Sequence, residues 1–340
     1  MTLKPVFFSL LLFFLVISCN STSKYLLYQK TEGTPKHPRA LAVNDDGLMV
    51  IAGHDGDFEV FQDLKSIKKG VIPEMEDLRD AEILDDGSIV FMNSGNKGEI
   101  WRYFLHNDSL VNCFKRDSVF MDGISFWNNS SGIGFGDPVN NKLTIIRTRD
   151  SSKTWTSIDF SQIPMALENE AGFAASGAGI ATLGSNTVYI GTGSADTARF
   201  YCSYDQGVNW EIKNTPMKSG GAFGIYAMTF WSEQEGVIIG GSYSDSSIND
   251  SICFFTNDSG DTWLNISKGL DGYCSGIDSN TDGSLIVATG RAGTYFTKNK
   301  GENWIKFMDD KFYSVQISKD KIYFSGKNGS IKIFDLQAFK

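Results

Sequence analysis

The feature that most constrains this chain is a repeat. Past residue 38 a short apolar strand, usually closed by glycine, returns seven times: Met49–Gly53, Ser88–Met92, Gly132–Gly136, Val188–Gly191, Val237–Gly241, Leu285–Thr289 and Ile322–Gly326. The intervals run from roughly 37 to 56 residues with a mean near 45, the length of one four-stranded propeller blade. Asp/Asn-Gly turns precede several copies, as at Asn44–Gly47, Asp85–Gly87 and Asp282–Gly283. Glycine there supplies the positive φ that a tight hairpin needs. No stretch after residue 38 holds a 3.6-residue apolar period with caps, so helices are expected to be few.

A second repeat overlies the first. Thr148–Trp155, Ser203–Trp210, Thr256–Trp263 and Thr297–Trp304 share the pattern Ser/Thr-x-Asp-x-Gly-x-Thr/Asn-Trp, the Asp-box. Its aspartate and hydroxyl can accept from turn N–H groups, its glycine takes the left-handed position, and its tryptophan buries a large face. Asp150, Asp205 and Asp258 occupy the acidic position, with Asn299 in the last copy; Ser152 replaces glycine in the first. With Trp155, Trp210, Trp263 and Trp304 they are expected to be structural, joining the third and fourth strands of a blade. The chain therefore reads as all-β, a seven-bladed β-propeller over residues 25–340, with six or eight blades as the alternative count. The last unit supplies only three strands (Phe312–Ser318, Lys321–Gly326, Ser330–Leu336). Lys24–Lys30 is expected to complete it, closing the ring and covering an exposed edge.

The first residues read as an address. One cation, Lys4, precedes an apolar run from Val6 to Ile17. Twelve residues at ~1.5 Å each span roughly 18 Å, short of a ~30 Å hydrocarbon core. Val16-Ile17-Ser18-Cys19 resembles a bacterial lipoprotein cleavage box. Residues 1–18 are then a signal peptide, Cys19 is the lipidated mature N-terminus, and residues 19–24 carry it as a tether. The protein is expected to be exported, on the periplasmic side or at the outer membrane. It would touch the membrane through its lipid alone.

The net charge is −9, and becomes −10 without Lys4. A chain this acidic is a poor partner for nucleic acid. Three dispersed histidines and no Cys-x₂-Cys give no metal signature, and no cofactor is expected. Cys113, Cys202, Cys253 and Cys274 could pair in an exported compartment in three ways, or stay as buried thiols.

Several tracts carry a family likeness: Phe120–Trp127, Gly132–Val139, Glu170–Gly177, Ile190–Gly193, Ala198–Arg199 and Gly240–Tyr243. Over most of residues 38–335 the chain resembles bacterial, non-photosynthetic members of the photosystem II stability/assembly factor-like family, within the sialidase-like superfamily. The resemblance implies a secreted binding or assembly propeller. Two departures stand: Glu59–Leu64 and Trp101–Asn107 are degenerate where relatives carry the box, and the arginine that relatives often have near Cys274 is missing. Some relatives are labelled oxidoreductases, yet no Gly-x-Gly-x-x-Gly followed by a helix, no Cys-x₂-Cys and no haem motif supports that here.

In a propeller the loops opposite the box turns converge on the central funnel, and function concentrates in such loops. Strand starts bring Arg39, Arg79, Asp80, Asp122, Glu170 and Tyr273 to that face. Second-to-third-strand loops bring His54, Asp55, Asp137, Arg199, Tyr243 and Arg291. Ligand contact is assigned to Arg39, His54, Arg79, Asp122, Asp137, Glu170, Arg199 and Tyr243, against the alternative that such charges knit blades together. No catalytic residue is assigned. The expected function is a monomeric binding or assembly module for an envelope protein or a small polar ligand. Two alternatives are a sialidase-like glycoside hydrolase, which needs three converging arginines and a tyrosine–carboxylate pair, and a carbohydrate-binding surface lipoprotein.

Overall fold

The computed structural model describes residues 24–339. The expected signal peptide, Cys19 and residues 20–23 of the tether lie outside them. Seven four-stranded antiparallel sheets make up the body. Among the described residues there is no α-helix, only short 3-10 turns.

Each sheet is a simple meander. The innermost strands are Ala40–Val43, Leu78–Ile83, Met121–Phe126, Ile180–Leu183, Phe223–Phe230, Cys274–Ser279 and Phe312–Ser318. Each packs against the next, and the seventh packs on the first, so the sheets form a closed ring. Leu26–Lys30 pairs antiparallel with Ser330–Asp335, completing the last blade from the other end of the chain.

The core follows from this arrangement. A blade is apolar on both faces, so burial happens between blades rather than at one centre. Seven apolar clusters fill the seven blade interfaces, the last of them joining Tyr323, Ile331 and Ile333 to Leu41, Met49 and Phe61. The second strands are buried throughout, as in Leu48–Ala52, Ile89–Asn93 and Thr187–Gly191.

The four corner turns join third to fourth strands in blades three to six. In the third of them, Asp258 Oδ1 accepts from Thr256 Oγ1 (2.8 Å) and the Thr262 N–H (2.8 Å), and Oδ2 accepts from Thr262 Oγ1 (2.6 Å). The Thr262 hydroxyl is the largest cause holding this carboxyl below its usual range. Asn299 still accepts from Thr297 Oγ1 (2.8 Å) and the Asn303 N–H (3.1 Å), but its amide nitrogen cannot accept as a second oxygen would. Ser152 holds the left-handed position at φ 59° and accepts the Trp155 indole N–H at 2.7 Å. Cys113, Cys202, Cys253 and Cys274 are free thiols.

Candidate functional site

The innermost strands do more than line a channel. Five of them slip register near their start: between Leu78 and Asp80, Met121 and Gly123, Ile225 and Ala227, Cys274 and Gly276, and Phe312 and Ser314. The extra residues are Arg79, Asp122, Tyr226, Ser275 and Tyr313. A bulge leaves one residue unpaired, bends the strand and re-aims a side chain. All but Asp122 line a single cavity of about 230 Å³ at the mouth of the channel, with Arg39, Phe173, Ala174, Ala175, Tyr243, Tyr273 and Arg291.

The lining is cationic and aromatic. Arg39 lies over the Tyr313 ring, 4.5 Å from its centroid. Its Nε is buried without a hydrogen-bond partner. Burial, then the neighbouring Arg79, lowers its pKa. Arg79 Nε donates to Asp77 Oδ2 at 2.7 Å and its Nη1 to the Ala174 carbonyl at 3.0 Å. Arg291 is exposed and donates to the Tyr243 carbonyl at 2.6 Å. Phe173 stacks on Tyr226 (3.9 Å, 18°), and Tyr273 meets Tyr226 edge-on at 4.8 Å. Half of Tyr243 is exposed at the rim. No carboxylate lines this cavity.

The strap from Pro164 to Ala175 forms one wall, and Glu170 fixes it. Glu170 accepts from Arg199 Nε (3.0 Å) and Nη2 (2.5 Å), from Thr192 Oγ1 (2.6 Å), from Tyr201 Oη (3.0 Å) and from the Leu167 N–H (2.7 Å). Its side chain is completely buried. Glu170 and Arg199 thus pin the strap to blade four, away from the cavity. The Tyr201–Glu170 pair is spent in this buried network.

Of the other expected contacts, Arg39, Arg79 and Tyr243 reach the cavity. His54 stands behind it, its Nε2 3.1 Å from Asp77 Oδ2. Asp137 accepts the Gly172 N–H at 3.0 Å. Asp122 occupies a bulge position but lies beneath the strap, so close to Gly172 that a Cβ there would sit 2.4 Å from Oδ2. Neither of its oxygens has a well-formed hydrogen bond. Burial first, and Asp137 second, raise its pKa well above the carboxylate range.

No protein-family model matches this chain, and no curated protein matches it.

Below the mouth the channel changes character. A second cavity of about 180 Å³ is lined by Asp80, Glu82, Asp278 and Gln316 among small and apolar residues. Asp80 accepts the N–H groups of Ala81 (2.9 Å) and Ile124 (2.7 Å), and Asp278 those of Ser279 (2.8 Å) and Ile317 (2.7 Å). Two carboxylates thus tie their own strand to the next blade. Desolvation raises Asp80 to about 7, Glu82 to about 8 and Asp278 to about 6.

Tyr226, Ser275 and Tyr313 escaped the sequence reading. A signal was present: Leu78–Ala81, Met121–Ile124, Ile225–Met228, Cys274–Ile277 and Phe312–Val315 align as apolar, variable, small or polar, apolar. The variable column is the bulge residue.

Proposed function

We propose that this propeller is a binding module whose channel mouth takes the anionic group of a ligand with a flat or apolar body. One observation carries the reading: three arginines and four tyrosines line the mouth cavity with no carboxylate among them, in a chain of net charge −9. Concentrating guanidinium groups costs free energy through their mutual repulsion, and an oxyanion offsets it through charge-assisted hydrogen bonds. Arg39, short of a carboxylate and with a buried unpartnered Nε, is the group that gains most. The stacked Phe173–Tyr226 wall offers an aromatic surface beside it.

The wider reading is an exported, lipid-anchored assembly or scaffold propeller, similar to the photosystem II stability/assembly factor-like group, working on an envelope protein or a small polar ligand. The Cys19 box and the sequence tracts described above support it. The three-arginine lining also favours a sialidase-like reading. A glycosidase needs an acid carboxylate and a second carboxylate or a carboxylate-backed tyrosine at the cleaved bond. The cavity tyrosines are backed instead by arginines, rings and carbonyls, so binding without turnover is the better-supported function.

Calorimetry with benzenesulfonate, benzoate and uncharged benzamide tests this. The two anions are expected to bind and the amide not. Arg39→Met with Arg291→Met is expected to abolish binding while the fold persists. Equal binding of all three probes, no binding of any, or hydrolysis of sialosides by the purified protein would overturn the reading.

A further inference from the structure

The mouth has a second tier. Behind the cavity wall His37 and His54 lie ring against ring, with centroids 4.7 Å apart and planes 34° from parallel. His37 Nδ1 is 2.8 Å from the Tyr313 hydroxyl, and the face of that tyrosine carries Arg39. His54 Nε2 is 3.1 Å from Asp77 Oδ2, the same oxygen that accepts Arg79 Nε. The pair thus touches both arginine supports from outside: one through a tyrosine, the other through a shared carboxylate. Neither histidine lines the cavity.

Resting on the anion-binding reading above, we propose that this site takes up its anion together with a proton, which the His37–His54 pair accepts.

The coupling is electrostatic. The charged groups facing His37 are Arg39 and Lys327, with Asp77 opposing them and His54 against its ring. His54 faces Asp77, which Arg79 already holds; Asp55 follows it in the chain, with its N–H bound to the Glu76 carbonyl. With the cavity free of anion, a proton on the pair adds a cation to a field of cations. Burial foremost, then His54, Arg39 and Lys327, accordingly lower the His37 pKa. An oxyanion on Arg39 and Arg79 cancels much of that field. It also competes with Asp77 for Arg79, releasing Asp77 Oδ2 to a protonated His54. Oδ1 of the same carboxylate is buried with no partner, so Asp77 has spare acceptor capacity for an imidazolium. Linkage fixes the sign: a ligand that raises the affinity for a proton is bound more tightly where protons are abundant, by the same factor. Affinity therefore rises as the pH falls through the histidine range.

Benzenesulfonate is the probe, because its own charge is constant between pH 5.5 and 8. Two measurements test the proposal. Titration calorimetry at pH 6.5 in two buffers of different ionisation enthalpy reads proton uptake directly. We expect net uptake of a fraction of a proton per anion, and a Kd about 5- to 10-fold lower at pH 5.5 than at pH 8. Nitrogen-detected NMR follows the three histidines of the chain one by one. The His37 titration is expected to move up by about one pH unit on saturation, equivalent to about tenfold in affinity. Asparagine tolerates the positive φ of His37 (51°), so His37→Asn with His54→Gln is expected to remove the uptake and flatten the pH profile. Anion binding with no proton uptake and unmoved histidine titrations overturns this inference and leaves the anion reading standing. A double variant that keeps the full pH profile overturns it too. Failure of the sulfonate to bind at any pH overturns both.

Discussion

The mouth and the waist of the channel share four of the innermost strands, yet they carry opposite charge. At the mouth the bulges turn Arg79, Tyr226, Ser275 and Tyr313 into one cavity; Arg39 and Arg291 there have carbonyls and rings for company, and Arg79 meets a carboxylate, Asp77, that does not line the cavity. At the waist regular pairing resumes, and Asp80 and Asp278 accept N–H groups from the neighbouring blade. The difference teaches what each part is for. Charges at the waist are consumed by architecture, because a buried carboxylate that accepts two backbone N–H groups joins adjacent blades. At the mouth Arg39 keeps a buried Nε without a partner, and unspent hydrogen-bonding capacity in a concave aromatic site is what a ligand uses.

The largest effect should come from the strap that walls the mouth. Glu170→Gln leaves the Arg199 guanidinium buried without its counter-charge, and breaking such a pair costs about 3–5 kcal/mol. Urea unfolding should show this as a lower midpoint with little change in slope; a shift of under a few tenths of a molar would mean that the strap is held by something else. Next comes Arg39→Met, which removes a cation that has no carboxylate partner. Anion affinity is expected to fall about 10- to 100-fold, the worth of one or two charged hydrogen bonds, with a small effect on stability. A loss of stability on the Glu170→Gln scale would make Arg39 architectural and erase the contrast.

The smallest effect tests the waist. The folded pKa values of Asp80, Glu82 and Asp278 lie above those of free carboxyls. The folded state therefore holds protons more tightly than the unfolded chain. That contribution to stability is complete below the unfolded values near 4 and is lost as pH rises through about 6 to 8. Glu82→Gln should therefore melt higher than the parent at pH 9, by a few degrees, with the gap closing toward pH 4. Its anion affinity should be unchanged. A parallel loss of binding would show that mouth and waist act as one site.

The blade count, the closure by Leu26–Lys30 and the corner turns were legible in the sequence, because each rests on local chemistry repeated several times. The site was legible only in part. Arg39, Arg79 and Tyr243 were placed on the correct face by topology alone. Glu170 and Arg199 looked the same in sequence, but a charge that meets its partner across the strap cannot be told from a free one without distances. Tyr226 and Tyr313 were hidden because each sits one residue into a strand that otherwise reads as continuous, and a bulge carries no composition of its own. Asp122 holds a bulge position like the cavity residues, yet the strap covers it, which no sequence pattern announces.

The seam of the ring has a mechanical consequence. Leu26 is matched with Phe334, more than three hundred residues away in the chain, and the strand it begins is the outermost of its sheet. Such a clasp fastens only after nearly all of the chain has been made, so the circle locks last. Any load applied ahead of Lys24 would fall first on this one edge strand. The remaining six blades would feel the pull only after the clasp had come undone.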